Sequence, residues 1–128
     1  MPESVKNRPS NATEEVFLFS KTANYYYDNQ AVREETGANL KNYWLLGPDS
    51  SGTPHPAVFP KELARRCILL GTRPRDLVLD PFSGSGTTGL VAAELNRRAV
   101  LIELNEEYVA HSKTRLDTVA QQALPIQL

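Results

Sequence analysis

The chain has 128 residues, of which 41% are hydrophobic and 23% charged. That is enough for one hydrophobic core and too little for two, and it is the balance of a folded globular domain rather than a disordered segment. A formal net charge of −1 excludes a whole-molecule field attracting polyanions, so any contact with nucleic acid has to be a local patch.

Residues Met1 to Ala12 are polar and carry two prolines, Pro2 and Pro9, which reads as a loop or loose tail. The opening MPESVKNRPS has no apolar signal-peptide core, and no apolar run in the chain reaches ~18 residues. No membrane contact and a cytoplasmic location are therefore expected. Next, VFLFS (Val16–Ser20) and NYYYD (Asn24–Asp28) are β-branched or aromatic runs separated by Lys21-Thr22-Ala23, which predicts a β-hairpin over residues 13–29. Its tyrosines are read as packing residues that stiffen a strand rather than as stacking platforms for bases. From Gln30 to Pro54 there is no sustained period, only a long Gly- and Pro-containing connection around NYWLL.

From Pro60 the pattern changes. KELARRCILLG places Leu63, Ala64, Cys67, Ile68 and Leu70 at helical spacing, with Pro60 at the first turn and Gly71 at the end. Cys67, the single cysteine, excludes an intrachain disulfide and a cysteine-based metal cluster, and inside this pattern it is expected to be a small buried hydrophobe. LVLD (Leu77–Asp80) suits a short buried parallel strand. A glycine loop follows, then a helix over about Thr87–Asn96, a second strand AVLIE (Ala99–Glu103) and a last helix from Asn105, its expected N-cap, to about Ala120. Strand, helix, strand, helix at this length is a βαβ unit with one more helix. His111, mid-helix among polar residues, is expected to be solvated.

The glycine loop, DPFSGSGTTG, carries Gly84, Gly86 and Gly89 on the G-x-G-x-x-G spacing of a dinucleotide site. Such a site needs its glycines directly after the strand, so that a pyrophosphate lies on free helix N–H groups. Here Asp80-Pro81-Phe82-Ser83 intervenes, and the Asp80 carboxylate at the strand's end would repel a diphosphate and attract a cation. A P-loop is excluded because Thr87-Thr88 stands where a lysine is required. The ligand that fits is a nucleoside joined to positive charge, as in S-adenosylmethionine, with a nicotinamide dinucleotide as the rival that Asp80 disfavours. Glu103 stands nineteen positions after Gly84, where an acid ~20 residues on can accept hydrogen bonds from both ribose hydroxyls.

LDPFSGSGTTGLVAAELNRRAVLIELNEEYVAHSKTRL closely resembles the cofactor half of the DNA amino-methyltransferases. These enzymes methylate adenine N6 or cytosine N4, and the resemblance is to the permuted group whose cofactor half is C-terminal. HPAVFP (His55–Pro60) resembles the family's cofactor-flanking motif, and PESVKNRPS with EEVFLFSKTANYYYD resembles its later loop and strand hairpin. The resemblance implies an α/β chain, a partial Rossmann-like S-adenosylmethionine-dependent methyltransferase fold with an N-terminal β-hairpin. It makes residues 1–128 a single, incomplete domain with the cofactor-binding helix and βαβα unit at 55–120. By position, Asp80, Phe82, Gly84, Gly86 and Thr87 would line the methionyl end of S-adenosylmethionine and Glu103 would hold its ribose. His55, Pro56, Phe59 and Pro60 would close the opposite wall. The implied partners are double-stranded DNA and a separate chain supplying the catalytic half.

Two departures qualify that picture. The family's chemistry uses a loop of Asp, Asn or Ser, then Pro-Pro, then an aromatic, which orients the exocyclic amine of a base flipped from the duplex. No Pro-Pro dipeptide occurs in the 128 residues, and Met1 falls where that loop would already have passed, so no catalytic residue and no metal ligand is assigned. Where the family has a Thr-Arg-Ser-His-Glu type run, this chain has Ser10-Asn11-Ala12-Thr13-Glu14. Arg65-Arg66, Arg73, Arg75 and Arg97-Arg98 could meet phosphates, but a solvated helix face or turn accounts for them better. The expected function is thus the S-adenosylmethionine-binding part of a DNA methyltransferase, inactive alone, with an inactive remnant or regulatory binding module as the alternative.

Overall fold

The computed structural model describes residues 7–8, 13–33, 37–47 and 59–123. The regular elements are α1 (Lys61–Gly71), β1 (Leu77–Asp80), α2 (Thr87–Glu94), β2 (Arg98–Leu101) and α3 (Glu106–Ala123). The βαβα unit expected from the sequence is present, and β1 and β2 pair in parallel with Leu77 opposite Arg98 and Asp80 opposite Leu101.

Each element begins and ends for a local reason. Pro60 sits at the N-cap of α1 with φ −60°, where its missing N–H costs nothing. At the other end the Thr72 hydroxyl donates to the Ile68 carbonyl at 2.6 Å. Between α1 and β1 the chain turns through Arg75 at φ 72°, held by its N–H on the Asn96 carbonyl at 2.8 Å. Asn105 caps α3 as expected: its Oδ1 accepts the Glu107 N–H at 2.9 Å.

The helices cover one face of the two-stranded sheet. Ala64 and Ile68 of α1 meet Val91 and Ala92 of α2, with Val78 of β1 and Leu95 packed against them. Because α2 lies between α1, α3 and the sheet, its exposed positions are few: Thr87, Gly89, Leu90, Val91 and Ala92 are all buried. The opposite face is bare. Leu77 and Leu79 alternate outward on β1 at 55% and 61% exposure, beside exposed Val100 of β2 and Ile102 just after it. Period-two alternation puts these four on the side away from the helices.

Three expectations are corrected here. No β-hairpin forms over residues 13–29: the two strands among the described residues lie after residue 76, and Val16, Phe17, Leu18 and Phe19 are exposed. A two-stranded ribbon needs a sheet or core behind it, and β1 and β2 offer this segment no pairing. The tyrosine run instead docks on α1, with the Asp28 N–H on the Leu70 carbonyl at 2.9 Å and Arg73 stacked over the Tyr26 ring at 4.2 Å. Cys67 is exposed rather than buried, because α1 turns that stripe toward a groove and not toward α2. His111 is half-buried rather than solvated, and its Nε2 is enclosed without a hydrogen-bond partner among the described residues.

Candidate functional site: the glycine loop and its two carboxylates

The strand ends bring two acids to the loop. Beyond the formal strands the ladder continues, with the Ile102 N–H on the Asp80 carbonyl at 2.9 Å and the Ser83 N–H on the Ile102 carbonyl at 3.0 Å. Asp80 and Glu103 therefore stand at the same carboxyl edge of the sheet, where ligands sit in open α/β folds.

Asp80 is held from both sides. Its Oδ1 accepts the Phe82 N–H at 3.0 Å and its Oδ2 accepts the Thr88 hydroxyl at 2.6 Å. The first bond shapes the turn and the second ties it to α2. Glu103 is held likewise: Oε2 accepts the Gly84 N–H at 2.8 Å and Oε1 accepts the Asn105 N–H at 2.8 Å. The loop thus spends a glycine N–H on a carboxylate, where a dinucleotide loop would leave it for a phosphate. Glu103 thus adds a second carboxylate to the charge conflict that the sequence reading drew from Asp80.

The three glycines have three different reasons. Gly84 is at φ 52° with open space where a side chain would stand, so conformation alone requires glycine there. Gly86 is at φ 78°, and an added Cβ would lie 2.7 Å from the Ser112 Cβ of α3. Gly89 is helical, and its Cβ would press on the Leu101 side chain of β2. Only Gly84 has the open side that a ligand lying along the loop needs.

Of the sequence-derived site residues, Asp80, Gly84 and Glu103 come together at the sheet edge. Phe82, whose N–H donates to Asp80, is 88% exposed. Gly86 and Thr87 do not face that surface. Thr87 is only 2% exposed and its hydroxyl meets Ser85 and Arg115, so it fastens the loop from beneath. Phe59 lines a groove of about 360 Å³ with Val78, Cys67 and Thr88. Pro60 starts α1, while His55 and Pro56 lie outside the described residues. On the other side of α2 a groove of about 550 Å³ collects Ser83, Leu101, Glu103 and Ser112. That groove reaches Glu103 but not Asp80, Phe82 or Phe59, so among the described residues these groups do not line one common pocket.

One residue escaped the sequence reading. Arg115, in α3, places Nη1 2.7 Å from the Ser85 carbonyl and 3.0 Å from the Ser85 hydroxyl. Spacing on a polar helix gives no signal for such a contact. Of the arginines weighed as phosphate contacts, Arg66, Arg73, Arg97 and Arg98 are engaged structurally, Arg73 over the Tyr26 ring. Arg97 donates to the Thr72 and Leu95 carbonyls, Arg98 to the Arg75 carbonyl, and Arg66 pairs with Glu62 at 2.8 Å. For these four this supports the structural account over phosphate binding.

The glycine turn, its acids and the parallel βαβ unit define a Rossmann-like nucleotide-cofactor fold. The chain belongs to the DNA methylase family of N6/N4 amino-methyltransferases, whose family model matches residues 1–114. It is 46% identical over 121 residues to the type II methyltransferase M.SmaI of Serratia marcescens, covering 90% of this chain and 41% of that protein. With M.Cfr9I of Citrobacter freundii it shares 48% identity over 120 residues, covering 91% of this chain and 40% of the relative. The chain thus spans about two-fifths of the length of these curated relatives. Among solved structures, the M1.HpyAVI–SAM complex superposes with a TM-score of 0.62 at 34% identity, covering 76% of this chain and 46% of that one. The cytosine-N4-specific PvuII DNA methyltransferase gives a TM-score of 0.66 at 30% identity, over 80% and 42%.

Proposed function

We propose that this chain is the S-adenosylmethionine-binding part of a DNA methyltransferase that methylates the exocyclic amine of adenine or cytosine in duplex DNA. The observation that carries the reading is the Gly84–Glu103 bond, which leaves a carboxylate at the loop where a phosphate site would have a bare N–H. The M1.HpyAVI complex, a similar fold with that ligand bound, supports it. S-adenosylmethionine supplies the methyl group. Asp80 offers negative charge to its cationic end, Glu103 accepts from its ribose, and Phe82 covers it. His55, Pro56, Phe59 and Pro60 form the facing wall.

The groups that orient the target amine come from sequence other than these 128 residues, since no Pro-Pro-aromatic loop is among them. The bare sheet face of Leu77, Leu79, Val100 and Ile102 is where the catalytic half packs. That face is uncovered and the outer β1 edge unpaired among the described residues, which makes the chain alone prone to self-association. Among the described residues no helix is long and apolar enough to cross a membrane. The proposed DNA substrate supports a cytoplasmic location. In a tritium-transfer assay from labelled S-adenosylmethionine to unmethylated duplex DNA, the chain alone gives no incorporation. Adding the catalytic half of a relative restores incorporation and makes the particles monodisperse by light scattering. Labelling of DNA by the chain alone overturns this assignment. If the chain binds cofactor but never labels DNA with any catalytic half, it is a remnant or regulatory binding module.

A further inference from the structure

We propose that Arg115 is the positioning residue of the cofactor loop, fixing the Ser85 peptide so that the Gly84 N–H stays on Glu103. As a statement about cofactor affinity this rests on the function proposed above; as a statement about loop geometry it stands alone.

The loop is a tight turn, with the Gly86 N–H on the Ser83 carbonyl at 2.8 Å and both Gly84 and Gly86 in the left-handed region. Two successive residues of it are clamped by opposite charges. Glu103 takes the N–H of Gly84 at 2.8 Å, and Arg115 takes the carbonyl of Ser85 at 2.7 Å. The same Nη1 lies 3.0 Å from the Ser85 hydroxyl and 3.4 Å from the Thr87 hydroxyl. Ser85 and Thr87 are buried, at 5% and 2% exposure, so little water can replace the guanidinium if it is removed. Ser112, one turn earlier on α3, backs Gly86 and prevents the loop from settling toward the helix.

The consequence follows from chain geometry. The Ser85–Gly86 peptide carries both the carbonyl held by Arg115 and the N–H that donates to the Ser83 carbonyl, and the Ser83–Gly84 peptide carries that carbonyl and the N–H held by Glu103. Rotation of the first peptide away from Arg115 therefore turns the second and lengthens its bond to Glu103. The carboxylate that accepts from the ribose then loses its fixed direction. Arg115 therefore acts through Glu103 and touches no ligand itself. All three contacts come from one nitrogen, so an ammonium group can replace it, whereas a thioether of similar reach cannot.

The test compares Arg115→Lys, Arg115→Gln and Arg115→Met in the full 128-residue chain. Hydrogen exchange of the peptide spanning the glycine loop, followed by mass spectrometry without ligand, reads the clamp directly. Calorimetry with S-adenosylmethionine reads its effect. Arg115→Met is expected to speed loop exchange and to raise Kd, each about tenfold, while the peptide over β1 exchanges as in wild type. Arg115→Lys is expected to recover most of both. Unchanged loop exchange in Arg115→Met overturns the proposal, as does uniform acceleration over the whole chain, which marks a residue that only tethers α3. If wild type binds no S-adenosylmethionine, the cofactor reading fails while loop exchange still decides the clamp. If Arg115→Met does not fold, the ratio of Arg115→Gln to Arg115→Lys decides it by the same two readouts.

Discussion

Gly84 donates its backbone N–H to Oε2 of Glu103 at 2.8 Å, across nineteen residues of sequence. One carboxylate so joins the turn after β1 to the end of β2, and its other oxygen begins α3 through the Asn105 N–H. Glu103→Ala removes bonds to a charged acceptor, each worth roughly 1.5–3 kcal/mol. The variant is expected to lose about ten- to hundredfold in S-adenosylmethionine affinity by calorimetry. It also melts several degrees lower, whereas Glu103→Gln, keeping one acceptor oxygen, loses less of both.

Asp80 separates charge from shape. After Asp80→Asn the amide oxygen can still accept the Phe82 N–H, and the amide nitrogen can donate to the Thr88 hydroxyl that now donates to the carboxylate. The substitution should change stability by no more than about 1 kcal/mol while weakening binding of the cationic cofactor. Equal affinity in the variant and the wild type would show that Asp80 only shapes the turn. Chemical denaturation and calorimetry on the same sample check both halves.

Substitution of the loop glycines should rank by the neighbours they meet. Gly84→Ala bears only the left-handed φ of 52°, a cost of about 1–2 kcal/mol. Gly86→Ala bears a similar strain and also drives a Cβ to 2.7 Å from Ser112, adding about 1–3 kcal/mol. A double-mutant cycle with Ser112→Gly should return part of the second cost and none of the first. Thermal melts of the single and double variants test this.

Cys67 gives the pH-dependent prediction. Desolvation raises its thiol above the ordinary value of 9.0, even though the residue as a whole is exposed in the groove beside Phe59. A raised folded-state value favours the protonated thiol, so its contribution to stability is whole below pH 9.0 and is lost as the pH climbs through the raised value. Alkylation by iodoacetamide should therefore rise with pH later in the native chain than in the denatured one. Coincident profiles would refute the shift.

Local chemistry made much of the cofactor unit legible. LVLD needed no context because four apolar-rich residues before a turn have few other uses, and the strand spans Leu77–Asp80 as read. Asn105 capped its helix because a side-chain oxygen at that position reaches the second N–H of any helix. The acid at the loop's root was legible for a similar reason, since charge conflicts with phosphate hold in any fold. The N-terminal runs failed because β-branched and aromatic residues record only that a strand is possible. Whether one forms depends on long-range packing, and Val16–Ser20 pair with neither β1 nor β2.

By itself, the sequence determined the order of helices and strands from Lys61 onward, the acids flanking the glycine turn and the family. These rest on steric and electrostatic rules that act within a few residues or along one strand–helix unit. Only the tertiary structure decided which way each residue faces: that Gly86 and Thr87 turn inward while Gly84 turns out, that Cys67 opens to a groove, and that Arg115 holds the loop. Those choices arise because α2 is enclosed by α1, α3 and the sheet at once. A residue on it or beside it answers to neighbours thirty positions away, and no local pattern encodes that distance.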